Sequence, residues 1–240
     1  MIIKSKSVLE DLIKACYHHN LRSHADDYIN IFSNQDYLEI EWELGNRLDL
    51  IKLAIKKTNA KSYLEIGCEN DEVFANIVDI PVKVGVDPYY GGNVRLSSDD
   101  FFSLNTQKFD VIFVDGLHYY EQVKRDVFNS LKFLNENGIV IIHDMLPITK
   151  KQTLVHPISD NPPRFYGWVG DVWRLSFDLM VEKNINFKIV NIDLGCGIIL
   201  PGNQDQPKYQ NITWEDYVKN HKHLPIISYT EIEKILKNYD

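Results

Sequence analysis

Four short apolar runs follow one another along the middle of the chain, and each ends in polar residues. They cover residues 61–68, 82–88, 109–116 and 138–144, with the sequences KSYLEIGC, VKVGVDP, FDVIFVDG and GIVIIHD. Runs of this kind are typical of strands that are buried on both faces of a parallel sheet. Between the last two runs, Val123, Val127, Leu131 and Leu134 form one apolar helical stripe, which completes a strand–helix–strand unit. The pattern predicts an α/β fold with a mostly parallel twisted sheet and helices on both faces.

The flanking segments predict how the chain is organised around this sheet. Residues 185–193 and 196–201 are expected to form two antiparallel strands at the sheet edge, joined around Leu194–Gly195. Residues 1–58 are predicted as an N-terminal helical segment, 59–202 as the core and 203–240 as a helical tail, all within one compact domain. The proline-rich segment 146–168 is expected to be a loop over the site, because long loops of this kind are often lids.

The first two runs suggest a site for a nucleoside. Glu65 ends one strand with Gly67 just beyond it, and Asp87 and Pro88 end the next. A glycine turn lets the backbone approach a ligand closely, and the carboxyl ends of parallel strands form the ligand crevice of such sheets. We expect Asp87 to accept hydrogen bonds from ribose hydroxyls, since a carboxylate can accept two at once, and Pro88 to shape the turn.

The same turn argues against a dinucleotide. The pattern GxGxxG requires three glycines, whereas the segment EIGCEND contains only Gly67. Asp71 is predicted to cap a helix after this turn, and together with Glu69 and Glu72 it would repel a pyrophosphate at that helix end. A cofactor without phosphates and with a positive charge fits better, and S-adenosylmethionine has both properties.

On these motifs the chain resembles the class I S-adenosylmethionine-dependent methyltransferases, over roughly residues 60–200. LEIGCEND is similar to their first cofactor motif, GVDP to the second and RLSSDDFF to the segment around adenine. The strings FDVIFVDGLHYYEQVKRDV and NGIVIIHDM resemble a subgroup of small-molecule and sugar O-methyltransferases. The resemblance implies a Rossmann-like fold, with Glu65 near the amino-acid end of the cofactor, Asp115 in the cofactor crevice, and Ser98 and Asp99 near the adenine. Ser98 and Asp99 are also candidates for capping the helix that follows them.

The chemistry is expected at the ends of the third and fourth strands, where Asp115, His118, His143 and Asp144 lie. An acceptor hydroxyl loses its proton as it receives a methyl group, and histidine is suited to accept that proton near neutral pH. Both histidines are candidates for the base, and a reaction without a histidine base is the third alternative. His118 stands on a turn that faces the crevice, whereas His143 ends a strand and is also compatible with a place in the core.

A divalent metal is a further open question. The resemblance implies that some relatives bind one through an Asp at the position of Asp115 and a Glu-Asp pair after the next strand. In this chain the pair is His143 and Asp144, so Asp115 and Asp144 would be the ligands. Mg²⁺ prefers oxygen ligands, whereas imidazole suits softer ions, and the replacement therefore argues against magnesium.

Composition limits the partners. The net charge of −8 makes nucleic acid an unsuitable partner, since phosphate-binding surfaces are basic. No apolar run approaches the ~18 residues that span a bilayer, and three scattered cysteines favour reduced thiols. We therefore expect a cytoplasmic enzyme with a small-molecule acceptor, without nucleic acid or membrane partners, whose terminal segments leave room for a homodimer.

Three functions remain compatible with the sequence. The first is a methyltransferase that acts on a hydroxyl of a small metabolite or sugar. The second is a metal-dependent nucleotide-sugar-binding or glycosyltransferase-like protein that uses Asp115 and Asp144. The third is a non-catalytic subunit with the same fold that binds S-adenosylmethionine. The acidic first turn disfavours the second.

Overall fold

Seven strands form one mixed sheet at the centre of the molecule. The computed structural model describes residues 2–4, 38–155, 167–204 and 212–237. The strands of the sheet are β3 (Ser62–Ile66), β4 (Val82–Val86), β5 (Phe109–Val114), β6 (Leu134–Ile142), β7 (Asn186–Val190), β8 (Cys196–Leu200) and β9 (Ile226–Ile227). Their order is β4-β3-β5-β6-β8-β7-β9, and a separate antiparallel pair joins β1 (Ile2–Lys4) to β2 (Glu41–Glu43).

The parallel half of the sheet contains the four strands predicted from the apolar runs. β3 pairs in parallel with β4 and β5, and β5 pairs in parallel with β6. Every residue of β3 is buried, and Ile139–Ile142 of β6 are fully buried, as expected for strands covered on both faces. The carboxyl ends of these strands lie along one edge, which brings the polar residues after each strand together.

The other half of the sheet reverses direction at β8, which pairs antiparallel with both β6 and β7. The predicted antiparallel pair of β7 and β8 is confirmed. It does not form the outer edge of the sheet, because β9 pairs in parallel with β7 on its far side. At the opposite edge, Val94 forms a single parallel bridge with Val86, beyond β4. The order and directions are those of a Rossmann-like α/β sheet with one reversed strand, which confirms the predicted fold class.

Helices cover both faces of the sheet. They are α1 (Arg47–Lys57), α2 (Ser98–Leu104), α3 (Tyr120–Lys132), α4 (Leu175–Val181), α5 (Trp214–Asn220) and α6 (Tyr229–Lys237). One apolar cluster packs residues of α2, α3 and α4 against the sheet, and a second packs residues of α1 and α6. Within the described helices, none has the length and apolar character needed to cross a bilayer.

Local structure departs from the sequence predictions at several helix ends. Asp71 begins no α-helix: it has φ +63°, and only a 3₁₀ turn, Phe74–Asn76, separates β3 from β4. The cap of α2 is Ser97 rather than Ser98 or Asp99. Leu134 belongs to β6 and not to the preceding helix. These positions differ because a cap or a strand start depends on hydrogen bonds to neighbouring elements, which apolar spacing does not encode.

The ends of the chain agree in part with the predicted organisation. Helix α1 lies within the segment 1–58, but Glu41–Glu43 is a strand, and residues 5–37 lie outside the described part. The tail contains helices α5 and α6 as expected, and it also supplies β9 to the main sheet. Residues 156–166 of the expected lid, 146–168, likewise lie outside the described ranges. The division into three segments stays a prediction.

Candidate active site

The turns after β3 and β5 touch each other. Gly67 has φ +86°, and a Cβ on it would lie 2.3 Å from the carbonyl oxygen of Asp115. The amide N–H of Asp115 donates to the carbonyl of Ile66. Glycine is therefore required at position 67 for close backbone contact as well as for its left-handed conformation. This contact places Asp115 beside the predicted cofactor turn.

The carboxylate of Asp87 holds two loops together. One oxygen accepts from the N–H groups of Cys68 and Glu69, at 3.1 and 3.0 Å, and the other accepts from those of Tyr89 and Tyr90, at 2.8 and 2.9 Å. Burial alone would raise the pKa of Asp87, but these four donors outweigh it and lower the pKa. A carboxylate has about four acceptor sites, so a ribose hydroxyl would have to share or replace one of these bonds. The predicted ribose contact stays a prediction, and the structural role of Asp87 was not anticipated.

Glu65 lies below the same turn and is almost fully buried. It is 1% exposed, and the hydroxyl of Tyr63 donates to it at 2.5 Å. Burial raises the pKa of Glu65 to about 8, with the Tyr63 hydrogen bond opposing and the charge of Asp115 assisting this shift. The carboxyl group is thus largely protonated at neutral pH. A cofactor ammonium group placed beside it would favour ionisation.

Ser98 and Asp99 connect α2 to α3. The side-chain amide of Gln122 donates to Ser98 Oγ at 3.1 Å, and Arg125 forms an exposed ion pair with Asp99 at 3.3 Å. Asp126 lies close to Gly116, since a Cβ on that glycine would be 3.7 Å from its carboxylate. These contacts bring the predicted adenine segment close to the turn after β5. The contact of Ser98 and Asp99 with adenine stays a prediction.

Two carboxylates and two imidazoles meet at the ends of β5 and β6. In His118, Nδ1 lies 3.2 Å from a carboxylate oxygen of Asp144, and Nε2 lies 3.6 Å from one of Asp115. In His143, Nδ1 lies 3.4 Å from Asp115 and 3.2 Å from Asp144. The structure therefore brings together all four residues that the sequence predicted for the chemistry.

The two imidazoles differ in their freedom to accept a proton. Nε2 of His143 lies 2.8 Å from the carbonyl of Asp193 and 3.2 Å from the guanidinium of Arg47, and its Nδ1 faces two carboxylates. Burial would lower the pKa of His143, but the charges of Asp144 and Asp115 raise it well above the usual value. The side chain of His143 is 6% exposed, whereas that of His118 is 23% exposed. His118 is thus the more accessible of the two.

Arg47 and Asp193 complete the cluster, although the sequence analysis singled out neither. Arg47 is the first residue of α1, and its guanidinium lies 3.6 Å from Asp115 and 3.1 Å from Asp193. Asp193 precedes Leu194 and Gly195 in a turn where all three residues have positive φ. Burial would raise the pKa of Asp193, but the hydrogen bond and charge of His143 and the charge of Arg47 lower it to about 2. In the sequence, the turn before β8 could have drawn attention to Asp193 as a site residue. No sequence pattern distinguishes Arg47 in the same way.

Three of these residues also have the chemistry and spacing of a metal site. Ligand atoms of Asp115, His118 and Asp144 all lie within 4.8 Å of one another. Asp144 is 2% exposed, yet both of its carboxylate oxygens lack an aligned hydrogen-bond partner. A buried carboxylate in this state is costly unless something pairs with it. The residues therefore fit a divalent ion, with the imidazole of His118 rather than that of His143 as the nitrogen donor.

Comparison with known proteins agrees with the chemistry of this site. Residues 45–145 match the model of a family described as a methyltransferase domain. This match covers the parallel strands β3 to β6 and the turns that carry Asp115, His118, His143 and Asp144, and it supports the methyltransferase function predicted from the motifs. No curated protein sequence gives a significant match.

Solved structures give weaker likenesses. A candidate caffeoyl-CoA O-methyltransferase from Staphylococcus aureus is 21% identical, with a TM-score of 0.47 over 81% of this chain and 99% of that one. The O-methyltransferase of Bacillus cereus in complex with SAH is 15% identical, with a TM-score of 0.43 over 81% and 90%. The O-methyltransferase TomG of Streptomyces achromogenes, which is involved in tomaymycin synthesis, is 16% identical, with a TM-score of 0.45 over 65% and 79%. No acceptor follows from likenesses of this size.

Proposed function

We propose that the protein transfers the methyl group of S-adenosylmethionine to a hydroxyl of a small metabolite or sugar, with His118 as the general base. The match of residues 45–145 to the model of a methyltransferase domain supports the reaction class. The observation that carries this proposal is the position of His118. It is partly exposed between Asp115 and Asp144, at the ends of β5 and β6, and the turn of Gly67 touches Asp115. A base therefore lies next to the predicted cofactor turn.

The choice between the two histidines rests on their contacts. A general base needs a free nitrogen lone pair within reach of the substrate proton. His143 is 6% exposed, and its two nitrogens are occupied by Asp193 and Arg47 on one side and by two carboxylates on the other. The side chain of His118 is 23% exposed; its Nδ1 is buried beside Asp144, so Nε2, 3.6 Å from Asp115, is the nitrogen available to a substrate. The protonated His143 would instead supply positive charge that keeps Asp115 and Asp144 ionised.

The reaction requires little more than alignment and one proton transfer. The acceptor oxygen attacks the sulfonium methyl carbon, the carbon–sulfur bond breaks, and its electron pair remains on sulfur as a neutral thioether. The hydroxyl proton passes to His118. Holding the oxygen about 3 Å from the methyl carbon supplies most of the rate gain. The carboxylate of Asp115 stabilises the imidazolium that forms, as the charge next to a catalytic histidine does in other enzymes.

A metal-assisted form of the same reaction is supported by the buried oxygens of Asp144, which face two imidazoles but lack aligned hydrogen bonds. Asp115, His118 and Asp144 would hold the ion, and one nitrogen donor among two carboxylates favours Mn²⁺ or a similar ion over Mg²⁺. When bound, the ion would lower the pKa of an acceptor hydroxyl. An imidazole nitrogen that binds an ion cannot also accept a proton, so removal of metal distinguishes the two arrangements.

The remaining alternatives receive less support. A diphosphate ligand would need a helix N-terminus or basic residues at the turn after β3. This turn has only a short 3₁₀ helix beyond it and carries Glu69, Asp71 and Glu72. A non-catalytic subunit would have no use for a partly exposed imidazole between two carboxylates.

The test has two stages. Titration calorimetry with S-adenosylhomocysteine first establishes whether the cofactor site exists, and a screen of hydroxyl compounds with radiolabelled S-adenosylmethionine then identifies an acceptor. We expect His118→Gln to bind S-adenosylhomocysteine normally and to lose roughly 10²-fold or more in turnover, the usual contribution of a general base. His223→Gln, which alters an exposed histidine outside the site, is the matched control. Full turnover in His118→Gln would refute the assigned base, and absence of S-adenosylhomocysteine binding would refute the function.

A further inference from the structure

The backbone of His118 is held by a segment from a distant part of the chain. The N–H of Asp171 donates to the carbonyl of His118 at 3.3 Å, and the carboxylate of Asp171 accepts from the N–H of Tyr120 at 2.6 Å. Gly170 has φ +59°, and a Cβ on it would lie 2.0 Å from the carbonyl oxygen of His118. Residues 167–171 therefore lie directly against the turn that carries His118.

The side chain of His118 is in contact with the same segment. The indole of Trp168 stacks on the imidazole, with ring centroids 4.7 Å apart and ring planes 21° from parallel. The indole is fixed in turn, because its Nε1–H donates to the carbonyl of Leu154 at 2.7 Å. Trp168 is thus anchored at its edge and presents a face to the imidazole.

Gln152 connects this segment to the loop after β6. Its carbonyl accepts from the N–H groups of Val169 and Gly170, and its side-chain amide donates to the carbonyl of Gly167 at 2.9 Å. Its side-chain oxygen accepts from the N–H groups of two residues in the loop after β6, Ile148 and Thr149. The position of Trp168 is therefore set by a buried hydrogen-bonded residue and does not depend on His118 alone.

The carboxylates around His118 do not fix the plane of its ring. Nδ1 of His118 lies 3.2 Å from Asp144 without an aligned hydrogen bond, and Nε2 lies 3.6 Å from Asp115, beyond hydrogen-bond distance. Charge attraction at 3.2 Å is compatible with several ring rotations, whereas a parallel stack allows few. We propose that Trp168 is a positioning residue that fixes the plane of the His118 imidazole for proton transfer from the acceptor. This inference rests on the proposed function, because it assumes that His118 is the base.

The stack itself is measurable without knowledge of the acceptor. In protein labelled selectively at histidine, the carbon-bound ring protons of His118 are expected to resonate upfield, because they lie over an indole face. His118→Gln assigns these signals by their disappearance. We expect Trp168→Ala to move them downfield, Trp168→Phe to retain most of the upfield shift, and Trp214→Phe, which alters an indole elsewhere, to leave them unchanged. Unchanged signals in Trp168→Ala would overturn the proposal.

Kinetics with the acceptor from the screen then test the consequence for catalysis. We expect Trp168→Ala to lower kcat roughly tenfold or more, since small misplacements of a reacting group cost this much, with the KM for S-adenosylmethionine unchanged. Trp168→Phe should restore most of kcat. Equal kcat in Trp168→Ala and wild type, or equal loss in both variants, would overturn the positioning role. A wild-type protein that fails to bind S-adenosylhomocysteine would instead refute the proposed function, while the ring signals would still report the stack.

Discussion

Replacing Asp87 by Asn tests whether this residue holds the cofactor loops together or only contacts the ligand. The change keeps the size of the side chain and converts one acceptor oxygen into an amide NH₂. Each oxygen of Asp87 accepts from two backbone N–H groups. Whichever oxygen is replaced, two backbone donors lose their acceptor and face another donor.

The expected loss follows from these two donors. An unsatisfied buried polar group costs about 1–3 kcal/mol, and the low end applies here because Tyr89 and Tyr90 are exposed and water can reach this loop. We therefore expect the free energy of unfolding of the unliganded protein to fall by about 2–3 kcal/mol. The dissociation constant for S-adenosylhomocysteine should rise roughly thirtyfold, equivalent to about 2 kcal/mol, because both loops that surround the predicted site are loosened.

Urea denaturation of the unliganded protein and titration calorimetry measure the two effects separately. Asp99→Asn is the control for the stability measurement, since its ion pair with Arg125 is exposed and such pairs contribute little. A variant Asp87→Asn that is as stable as wild type but binds S-adenosylhomocysteine more weakly would show that the carboxylate acts on the ribose alone. That result would falsify the structural role derived from the four hydrogen bonds.

Three further predictions concern the turn, the metal and the buried acid. Gly67→Ala should destabilise the protein by about 2–4 kcal/mol in urea denaturation, from backbone strain together with overlap on Asp115. Gly167→Ala has a similar φ of +88° but meets no backbone atom of the described residues within 4 Å, so an equal loss there would rule out the overlap. Mn²⁺ should raise the melting temperature of the wild-type protein more than Mg²⁺ does, and it should leave the melting temperature of Asp144→Asn unchanged. Unchanged turnover in excess EDTA would exclude a metal from catalysis. Burial raises the pKa of Glu65 to about 8. The affinity for S-adenosylmethionine should therefore increase as pH rises towards this value, because the carboxylate becomes charged. In calorimetry, the affinity of Glu65→Gln should not change over the same pH range.

Much of the fold was predictable from local sequence. The strands that precede Gly67, Asp87, Asp115 and His143 are apolar on both faces, and this pattern appears in few other contexts than a buried parallel sheet. Since such strands end at one edge, the meeting of these polar residues followed without any knowledge of packing. Helix starts were less predictable. The expected helix at Asp71 is absent and the cap of α2 is one residue earlier, because these features depend on single hydrogen bonds.

The sequence could not distinguish the two histidines. In the sequence, His118 and His143 each follow a predicted strand, and each is close enough to Asp115 or Asp144 along the chain to contact a carboxylate. The distinction arises from Asp193, whose carbonyl accepts from His143 across 50 positions of the chain. It arises equally from Trp168, which stacks on His118 and comes from a segment that the sequence analysis treated as a loop.

By itself, the sequence determined the class of sheet, the edge at which the chemistry lies, and the preference for a cationic cofactor without phosphates. These properties follow from short apolar runs and from the charge of one turn, and both are local. Only the tertiary structure decided which imidazole remains available and what surrounds it. Arg47 reaches Asp193 over a separation of 146 residues, and Asp87 uses its carboxylate on the backbone of two loops. Such contacts depend on how distant segments pack, and no spacing of residues along the chain records them.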